Sequence, residues 1–333
     1  MLNKTVIFEG LTVYRSKPIN LKQHDIGLFE HEYKKNIPKS FIMNLNHPII
    51  INDSVIDIKG LSFHFKHTFY ASHTFSKKIK VTAKNLFFVK RGSIKFDSGI
   101  WIVDSKSENF GHWIIDAMCR LMLVPESYKK YPVILPFRFN IKWILEMLNF
   151  LEINFLLLEK NNKYKIKELI LTSQAHPSGN YNPELVKKLR SKFLNNVNLS
   201  KTKKTRRVWA YREHISRQIG NFDEIRLILK KYQFEIIKTE KLSILEKIKL
   251  FNDTKILAGT HSSGLINMIF MKENSILFEV RDFKDSHKNS MFSLASALDI
   301  HYFYTERSES LIEGDGKIDP LAFENALLEC LSF

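Results

Sequence analysis

Two side chains that could move a proton, His112 and Asp116, lie four residues apart in the sequence. The apolar spacing around them predicts an amphipathic helix over residues 108–124, and positions four apart on a helix share one face. A histidine beside a carboxylate can serve as a general base, and the carboxylate can also serve by itself. Asn109 and Gly111 stand at the expected helix start. A helix-capping turn with a His–Asp pair on the surface is the structural alternative.

A second stretch predicts a buried strand, a hydroxyl-rich turn and a helix in direct succession. Its sequence is Lys255-Ile-Leu-Ala-Gly-Thr-His-Ser-Ser-Gly-Leu-Ile-Asn267. Free backbone N–H groups and the helix dipole at such a start favour an anion, most simply a phosphate. The residues expected to receive it are Gly259, Thr260, His261, Ser262, Ser263 and Gly264. The pattern matches neither G-x-G-x-x-G nor a P-loop lysine motif, which disfavours dinucleotide and ATP sites. An ordinary tight turn with serine caps is the alternative.

Three charged residues could assist that turn. Arg212 ends a predicted strand, and Arg217 lies in the loop before the next helix. Two guanidinium groups suit a diphosphate, because each can hold two oxygens. Glu279 lies at the end of another predicted strand, where an acidic residue can accept both hydroxyls of a ribose. A solvated strand end is the alternative for Glu279.

From residue 100 onward, strands and helices alternate in the pattern that is typical of parallel sheets wrapped by helices. The predicted strands are 99–104, 131–136, 153–159, 167–173, 206–212, 234–240, 255–259, 275–280 and 301–306. The predicted helices are 108–124, 141–150, 182–193, 222–232, 244–252, 261–272, 287–298 and 320–331. Asn182 and Pro183 open one helix, and capping-box spacing links Asn221 with Glu224 and Ser243 with Glu246.

These elements predict two doubly wound domains, at 96–200 and 206–307, with a polar and basic linker between them. Short β-rich stretches (VIDIKGLSFHF, HTFYASHTF, NLFFVKRGSIKF) predict a β-rich region over residues 1–95 that packs on the first domain. The tail, 308–333, carries a C-terminal helix that we expect to cross back to the first domain. Ligands in such folds bind at the carboxyl ends of the strands.

Composition limits the class of protein. The 333 residues are 44% hydrophobic and 26% charged, which is ordinary for a globular chain and excludes disorder or a collagen-like repeat. Cys119 and Cys330 cannot supply a disulfide framework or a four-cysteine zinc site. We find no signal peptide and no apolar window of about 18 residues, so any membrane contact is expected to be peripheral. The expected location is the cytoplasm, either free or in peripheral contact with the cytoplasmic face of the inner membrane.

The formal net charge of +16 admits several partners. A basic surface attracts nucleic acid, anionic lipid, nucleotide phosphates or acidic polymers, and the bias of an AT-rich genome toward lysine would produce the same excess. The basic residues are scattered and carry no DNA- or RNA-binding signature, so nucleic acid is not an expected partner.

Taken in order, these segments resemble glycosyltransferase family 61, whose members are often described as capsular polysaccharide biosynthesis proteins. The resemblance covers roughly residues 100–307. It rests on an N-x-x-H-W helix with an acid four residues after the histidine (Asn109 to Asp116), an arginine strand and turn (Arg212, Arg217, Asn221), an E-x-L-S segment (Glu240 to Ser243) and the turn GTHSSGLIN with Glu279. Two departures stand out: Ser262-Ser263 replaces Gly-Ala, and Arg217-Gln218 replaces a double arginine.

The resemblance implies an α/β, GT-B-like fold in which two Rossmann-like domains face a cleft. The nucleotide sugar would bind the C-terminal domain and the acceptor largely the N-terminal one. It implies an inverting transfer with Asp116 as the base and His112 as its orienter or alternate, without a metal or other cofactor. Leu265 and Asn267 join the donor-binding residues, and Asn109, Gly111 and Asn221 support the site.

The partners then expected are a nucleotide sugar and a glycan or lipid-linked glycan acceptor, for which an anionic glycan would suit a basic cleft. A UDP-hexose, a UDP-N-acetylhexosamine and a CMP-ulosonate all stay open as donors. Three alternatives remain: a nucleic-acid-binding module, an inactive sugar-nucleotide-binding partner, and another Rossmann enzyme such as a dehydrogenase.

Overall fold

The structure, a computed structural model, describes residues 3–57, 60, 62–199, 204–211, 219–308 and 316–333. Arg212 and Arg217 lie outside the described residues, and their role stays a prediction.

The strands are numbered in chain order. They are β1 (Asn3–Phe8), β2 (Leu11–Tyr14), β3 (Lys34–Ile37), β4 (Ser40–Asn46), β5 (Ile49–Ile51), β6 (Ser54–Ile56), β7 (Ile94–Trp101), β8 (Val133–Leu135), β9 (Phe155–Leu157), β10 (Lys163–Thr172), β11 (Arg206–Tyr211), β12 (Glu235–Lys238), β13 (Thr254–Thr260), β14 (Ile276–Arg281) and β15 (His301–Glu306).

The α-helices follow the same numbering. They are α1 (Ile26–Phe29), α2 (Phe65–Thr68), α3 (Phe75–Phe87), α4 (Met118–Leu121), α5 (Lys142–Phe150), α6 (Pro183–Asn195), α7 (Phe222–Lys231), α8 (Ile244–Asn252), α9 (Ser290–Ala297) and α10 (Pro320–Ser332). A π-helical segment covers His112–Ala117, and 3₁₀ helices cover Gln23–Asp25, Glu30–Glu32, Glu126–Tyr128, Phe137–Phe139, Thr239–Lys241 and Ser263–Phe270.

The chain forms two compact units. The first unit comprises Met1–Leu11 and Pro38–Pro177, and the second comprises Thr12–Ile37 and Ser178–Phe333. The predicted boundaries differ from this division, because they assigned the whole of residues 1–95 to the first domain. Residues 12–37 belong instead to the second unit, as do residues 178–199, which were predicted as the end of the first domain.

The first unit is built on a mixed sheet with the order β1-β4-β10-β7-β8-β9, in which β5 also pairs with β10 and with β6. Strands β10, β7, β8 and β9 run parallel, while β1, β4, β5 and β6 pair antiparallel. The parallel half therefore matches the predicted alternation after residue 100. The carboxyl ends of β7 and β10, at Trp101 and Thr172, open at one edge of the sheet.

The second unit contains a parallel sheet of the order β12-β11-β13-β14-β15. Counted from β11, this is the order 2-1-3-4-5, so the direction of winding changes between β11 and β13. Such a switch point leaves a crevice at the carboxyl ends of the strands, where open α/β sheets bind their ligands.

Residues 12–37 cover the edge strand β15. The Ile19 N–H donates to the Tyr302 carbonyl at 2.9 Å, and the Asn20 side chain pairs with the Tyr304 backbone at 2.7 and 3.1 Å. Phe29 is fully buried, with its ring centroid 5.0 Å from that of Tyr304. The main-chain bonds satisfy an edge that would otherwise be open to pairing with another chain.

Helix α10 packs within the second unit, where the sequence analysis expected it to cross back to the first domain. The Phe323 ring lies 5.6 Å from that of Phe278 and 6.0 Å from that of Trp209. Leu327 and Cys330 are buried in the same core. The apolar face of the helix therefore has its partners within its own unit.

Two local predictions were wrong and two are confirmed. Segment 85–96 was predicted as β-rich, but its residues 85–87 are the end of α3. That helix begins after Thr74, whose hydroxyl accepts from the Lys77 N–H. Asn221 does not cap α7 through its side chain, which instead bonds the Ile318 backbone at 2.8 and 3.0 Å. Asn182 caps α6, and Ser243 with Glu246 forms the capping box of α8.

Among the described residues, none of the helices combines the length and the apolar character that spanning a bilayer requires.

A buried arginine ties α4 to the sheet of the first unit. Arg120 is 1% exposed, and its guanidinium donates to the Thr172 hydroxyl at 2.9 Å, the Thr172 carbonyl at 2.8 Å and the His67 carbonyl at 2.9 Å. Burial lowers the pKa of Arg120 to about 10, so the group stays charged at neutral pH. His67 consequently sits beside a fixed positive charge.

We expect His67→Gln to make the protein less sensitive to acid. Burial, and then the charge of Arg120, lowers the pKa of His67 to about 3, whereas unfolded histidine titrates near 6.5. Unfolding takes up a proton between these values, so stability that is complete above about pH 6.5 falls as the pH drops. At about pH 5, wild type should have lost about 2 kcal/mol of unfolding free energy that the variant retains.

Urea unfolding at neutral and at acidic pH measures this difference. His24→Gln is the matched control, because the side chain of His24 is 77% exposed. An equal acid dependence in wild type and His67→Gln would contradict the assignment.

Candidate functional site

The predicted helix over residues 108–124 contains a π-helical segment. The Met118 N–H donates to the carbonyl of Trp113, five residues earlier, and α4 follows directly. Nearly every side chain of the segment is buried: Trp113, Ile114, Ile115 and Ala117 are each at most 1% exposed. The wider turn still brings His112 and Asp116 together, and π-turns within helices frequently occur at functional sites.

Asp116 lies between two histidines. Its Oδ2 is 2.6 Å from His112 Nδ1, and its Oδ1 is 3.7 Å from His176 Nε2. Burial raises the pKa of Asp116, but the interactions with His112 and His176 outweigh burial and hold the pKa below its ordinary value. The carboxylate is therefore ionised, and His112 Nδ1 carries the proton of their hydrogen bond.

The three side chains of this cluster differ in access. Asp116 and His176 are 8% and 4% exposed, whereas the side chain of His112 is 27% exposed. Because Nδ1 is held by Asp116, Nε2 is the nitrogen of His112 that is available to a ligand. The structure thus joins the two predicted residues and makes the histidine the accessible one.

Sequence reasoning missed His176. It follows β10, four residues after Thr172, while the loop that leads to His112 follows the parallel neighbour β7. Carboxyl ends of neighbouring parallel strands meet at one edge of a sheet, and this rule could have identified His176 as a partner. The same edge joins Gln174 to Asp104, at 3.4 Å between Nε2 and Oδ2.

The loop before the π-helical segment is fixed by its own polar groups. The Asp104 Oδ1 accepts from the Lys106 N–H at 2.9 Å, and the Asp104 carbonyl accepts from Arg138 at 2.8 Å. Asn109 Oδ1 accepts from the Gly111 N–H at 2.9 Å. The predicted supporting residues Asn109 and Gly111 therefore form the turn that orients the start of the segment.

The predicted phosphate-binding turn lies in the second unit, at the carboxyl end of β13 beside the switch point. It leads into a 3₁₀ helix at Ser263–Phe270 instead of the predicted α-helix over 261–272. Ser262 has an extended backbone, and the Leu265 N–H donates to the Ser262 carbonyl at 3.1 Å. A 3₁₀ helix of eight residues is unusually long.

The two glycines of the turn differ in their surroundings. A Cβ at Gly259 would lie 3.2 Å from both the Ala210 carbonyl oxygen and Leu265 Cδ2, whereas one at Gly264 would meet only ordinary contacts at 3.4–3.5 Å. Gly259 therefore serves the close approach of β11, β13 and Leu265, which is fully buried. Gly264 is the glycine whose backbone a ligand could approach.

His261 begins a chain of buried polar contacts. Its Nδ1 lies 2.5 Å from Glu279 Oε1, and the Tyr302 hydroxyl donates to Glu279 Oε2 at 2.5 Å. Arg281 donates to the Tyr302 hydroxyl at 3.1 Å and lies over the Phe29 ring at 4.7 Å. Burial and the charge of Glu279 raise the pKa of Tyr302 well above its ordinary value, so it remains a donor.

This chain of contacts gives Glu279 a different role from the one expected. Its carboxylate was expected to bind ribose hydroxyls, but Glu279 is fully buried, and its two oxygens are engaged by His261 and Tyr302. A carboxylate in this position orients His261, whose side chain is 15% exposed and whose Nε2 is left for a ligand.

The remaining predicted donor residues lie around the same turn. Thr260 and Ser262 are largely buried, and Ser263 is half-buried. Asn267 is 1% exposed, and its side-chain amide donates to the Gly264 carbonyl at 2.8 Å. Asn267 therefore stabilises the turn from within. Asn221 lies elsewhere, at the Ile318 backbone.

Across the part of the chain that is described, no group of three or more His, Cys, Asp or Glu side chains is arranged to hold a metal ion. The metal-free reaction stays a prediction.

Comparison with models of protein families matches residues 110–278 to the family described as Glycosyltransferase 61. The matched range includes His112 and Asp116 as well as the turn from Gly259 to Gly264, and it ends just before Glu279. A search of curated proteins finds no significant match.

The glycine pair offers a test of the turn. We expect Gly259→Ala to lower the unfolding free energy by about 1–3 kcal/mol, because the new methyl group would press on the Ala210 carbonyl and Leu265. Gly264→Ala should leave stability nearly unchanged, since its methyl group meets only ordinary contacts. Thermal and urea unfolding of both variants make the comparison, and equal losses would show that the packing argument is wrong.

Proposed function

Because this chain belongs to glycosyltransferase family 61, we propose that it moves a sugar from a nucleotide-sugar donor to a glycan acceptor and inverts the anomeric carbon. The family establishes the reaction class, which is glycosyl transfer. The finer statement is supported chiefly by one observation, the hydrogen bond between the buried Asp116 and the accessible His112. An inverting transfer requires one base at the acceptor hydroxyl, and this pair can supply it.

We further propose a GT-B type of enzyme, in which the second unit holds the donor and the first holds the acceptor. The support is the placement of the two features: the turn after β13 lies at a switch point, and the histidine–aspartate cluster lies at a sheet edge of the other unit. Bacterial surface polysaccharide is the acceptor class that the family resemblance suggests, whether free or linked to a lipid.

The proposed reaction is a single displacement. The acceptor oxygen forms a bond to the anomeric carbon as the bond from that carbon to the phosphate oxygen of the nucleotide breaks. The electron pair of the broken bond leaves with the nucleotide, and the proton of the acceptor hydroxyl passes to the base. No covalent intermediate with the enzyme is needed.

The geometry favours His112 as the base and Asp116 as its orienter, the reverse of the order expected from sequence. Asp116 is buried and its pKa is lowered, so it is a weak base that already accepts a hydrogen bond. His112 is the accessible partner, and Asp116 fixes its tautomer so that Nε2 can accept a proton. A carboxylate that holds an imidazole in this way also stabilises the imidazolium that forms.

Charge on the departing nucleotide phosphate needs compensation, which the second unit can supply. We assign this to His261, whose Nδ1 is held by Glu279, and to the backbone N–H groups that begin the 3₁₀ helix. Arg212 and Arg217 remain the predicted guanidinium contribution. Tyr302 and Arg281 contribute indirectly, because they hold the Glu279 carboxylate in place.

The base assignment can be tested by chemical rescue. We expect His112→Ala and Asp116→Ala each to lower kcat by about 10²–10⁴, since each removes part of one proton-transfer unit. Added imidazole should restore turnover in His112→Ala, because it can take the proton in the vacated space. Added formate should not restore Asp116→Ala to a comparable extent.

Rescue in the opposite pattern, formate acting on Asp116→Ala and imidazole failing on His112→Ala, would return the role of base to Asp116. His24→Ala serves as the control for nonspecific effects of imidazole, as its side chain is exposed.

Donor binding can be tested without an acceptor. UDP, CMP and their sugar conjugates should be screened by thermal shift, since a bound donor raises the melting temperature by mass action. We expect one nucleotide class to bind wild type, and His261→Ala to weaken that binding about tenfold through loss of a charge-assisted hydrogen bond. His287→Ala is the matched control, an exposed histidine of the same unit. If no nucleotide shifts the melting temperature, or if His261→Ala binds like wild type, the donor site is misassigned.

A further inference from the structure

Helix α3 carries a surface that the proposed reaction does not use. Its exposed apolar side chains are Phe75, Ile79, Leu86 and Phe87, followed by Phe88, with exposed fractions of 68%, 47%, 43%, 82% and 54%. Exposed cations flank them at Lys77, Lys80, Lys84, Lys90 and Arg91. We call these ten side chains the α3 surface.

The helix differs from an ordinary surface helix, which buries its apolar face, because its large apolar side chains stay exposed. Polar residues make the contact with the rest of the first unit: Asn85 pairs with Asn52 and Ser54, at 3.0 Å each, and the Ser54 hydroxyl lies 3.4 Å from that of Thr82. Phe75, Ile79 and Leu86 recur at helical spacing on the stripe that also contains Thr82, yet each of the three is more than 40% exposed, and the Phe75 ring lies edge to face against that of Phe65 at 6.1 Å. Several exposed large apolar groups side by side mark a site that binds another protein, a membrane or a ligand.

The charge around this stripe is of one sign. Between Asp57 and Asp97 the sequence contains no acidic residue, while Lys or Arg stands at positions 59, 66, 77, 78, 80, 84, 90, 91 and 95. No acidic side chain within the segment itself can therefore offset these cations. A binding partner with an anionic surface and an apolar interior would complement both the positive charge and the exposed apolar side chains of the α3 surface.

We propose that the α3 surface binds an anionic lipid bilayer, with α3 lying in the plane of the interface. The aromatic and aliphatic side chains would enter the boundary between headgroups and acyl chains, and the lysines would remain at the level of the lipid phosphates. Helices with this combination of faces bind membranes in this way, and each cation near an anionic leaflet adds to the attraction.

Two other occupants fit the same observations less well. A nucleic acid would use the cations but would leave aliphatic groups such as Ile79 and Leu86 without a role. A second copy of the chain, joined through the same surface, would set like charges against each other in a twofold contact. A bilayer uses both properties at once.

The α3 surface is also connected to the proposed site within the first unit. Lys77 Nζ lies 3.2 Å from His73 Nε2, and His73 Nδ1 lies 3.1 Å from the Ser105 hydroxyl, in the loop that leads to His112. The Tyr70 ring lies 5.2 Å from that of His112. Insofar as the proposed function holds, a lipid-linked acceptor is the substrate class that this placement favours.

Vesicle flotation of the full chain tests the proposal, with no catalytic readout. Vesicles of phosphatidylcholine alone are compared with vesicles in which about a third of the lipid is phosphatidylglycerol. We expect binding only to the anionic vesicles, weaker at high salt, and about tenfold weaker when Phe75, Ile79 and Phe87 are all changed to serine. Changing Lys77, Lys80 and Lys84 to glutamate should have an effect of the same size.

Matched variants change equally exposed groups elsewhere: Tyr14, Leu227 and Leu321 to serine, or Lys142, Lys165 and Lys167 to glutamate. These should bind like wild type, and circular dichroism should show every variant folded. The proposal is overturned if wild type ignores anionic vesicles, if α3 and matched variants lose binding equally, or if the α3 variants instead abolish a dimer or nucleic-acid binding. If wild type binds anionic vesicles but catalyses no glycosyl transfer, that result contradicts the proposed function and leaves the lipid-binding proposal in place.

Discussion

A carboxylate buried below the protein surface has to be balanced by hydrogen bonds and charge, and each unit achieves this with a histidine. Asp116 binds His112 through Nδ1 in the first unit, and Glu279 binds His261 through Nδ1 in the second. In both pairs the acid is buried and the imidazole is partly accessible. The acid thereby fixes which nitrogen the histidine presents, which makes two otherwise mobile rings into defined donors or acceptors.

Much of the fold could be predicted because its signals are local. The capping residues Asn182 and Ser243, together with the apolar periodicity after residue 100, located most helices and strands to within a few residues. The turn from Gly259 to Gly264 was recognised from its composition, and the pairing of His112 with Asp116 from its spacing. The family followed from the order of these motifs, and the match over residues 110–278 agrees with it.

What could not be predicted depends on partners that are remote in sequence. Residues 12–37 carry no sign that they belong to the second unit, because their partners Tyr302 and Tyr304 are nearly 300 positions away. His176 meets Asp116 only after β10 and β7 are paired. The π-helical segment and the 3₁₀ helix after Ser262 are likewise set by packing, since propensity favours neither over an α-helix. Glu279 was expected at a strand end, but it lies two residues inside β14, and its buried carboxylate accepts a hydrogen bond from Tyr302 on the next strand.

The cover on β15 has a consequence for biosynthesis. Residues 12–37 are synthesised well before β15, the strand whose edge they cover and the last strand of its sheet to be made. During synthesis Phe29 therefore has no Tyr304 ring to pack against until β15 has emerged. Closing so distant a contact is slow, because the entropy of a very large loop is lost before the contact forms. The second unit is therefore completed only after residues 38–177 of the first have been made, and no contiguous stretch that omits those residues contains all of its parts.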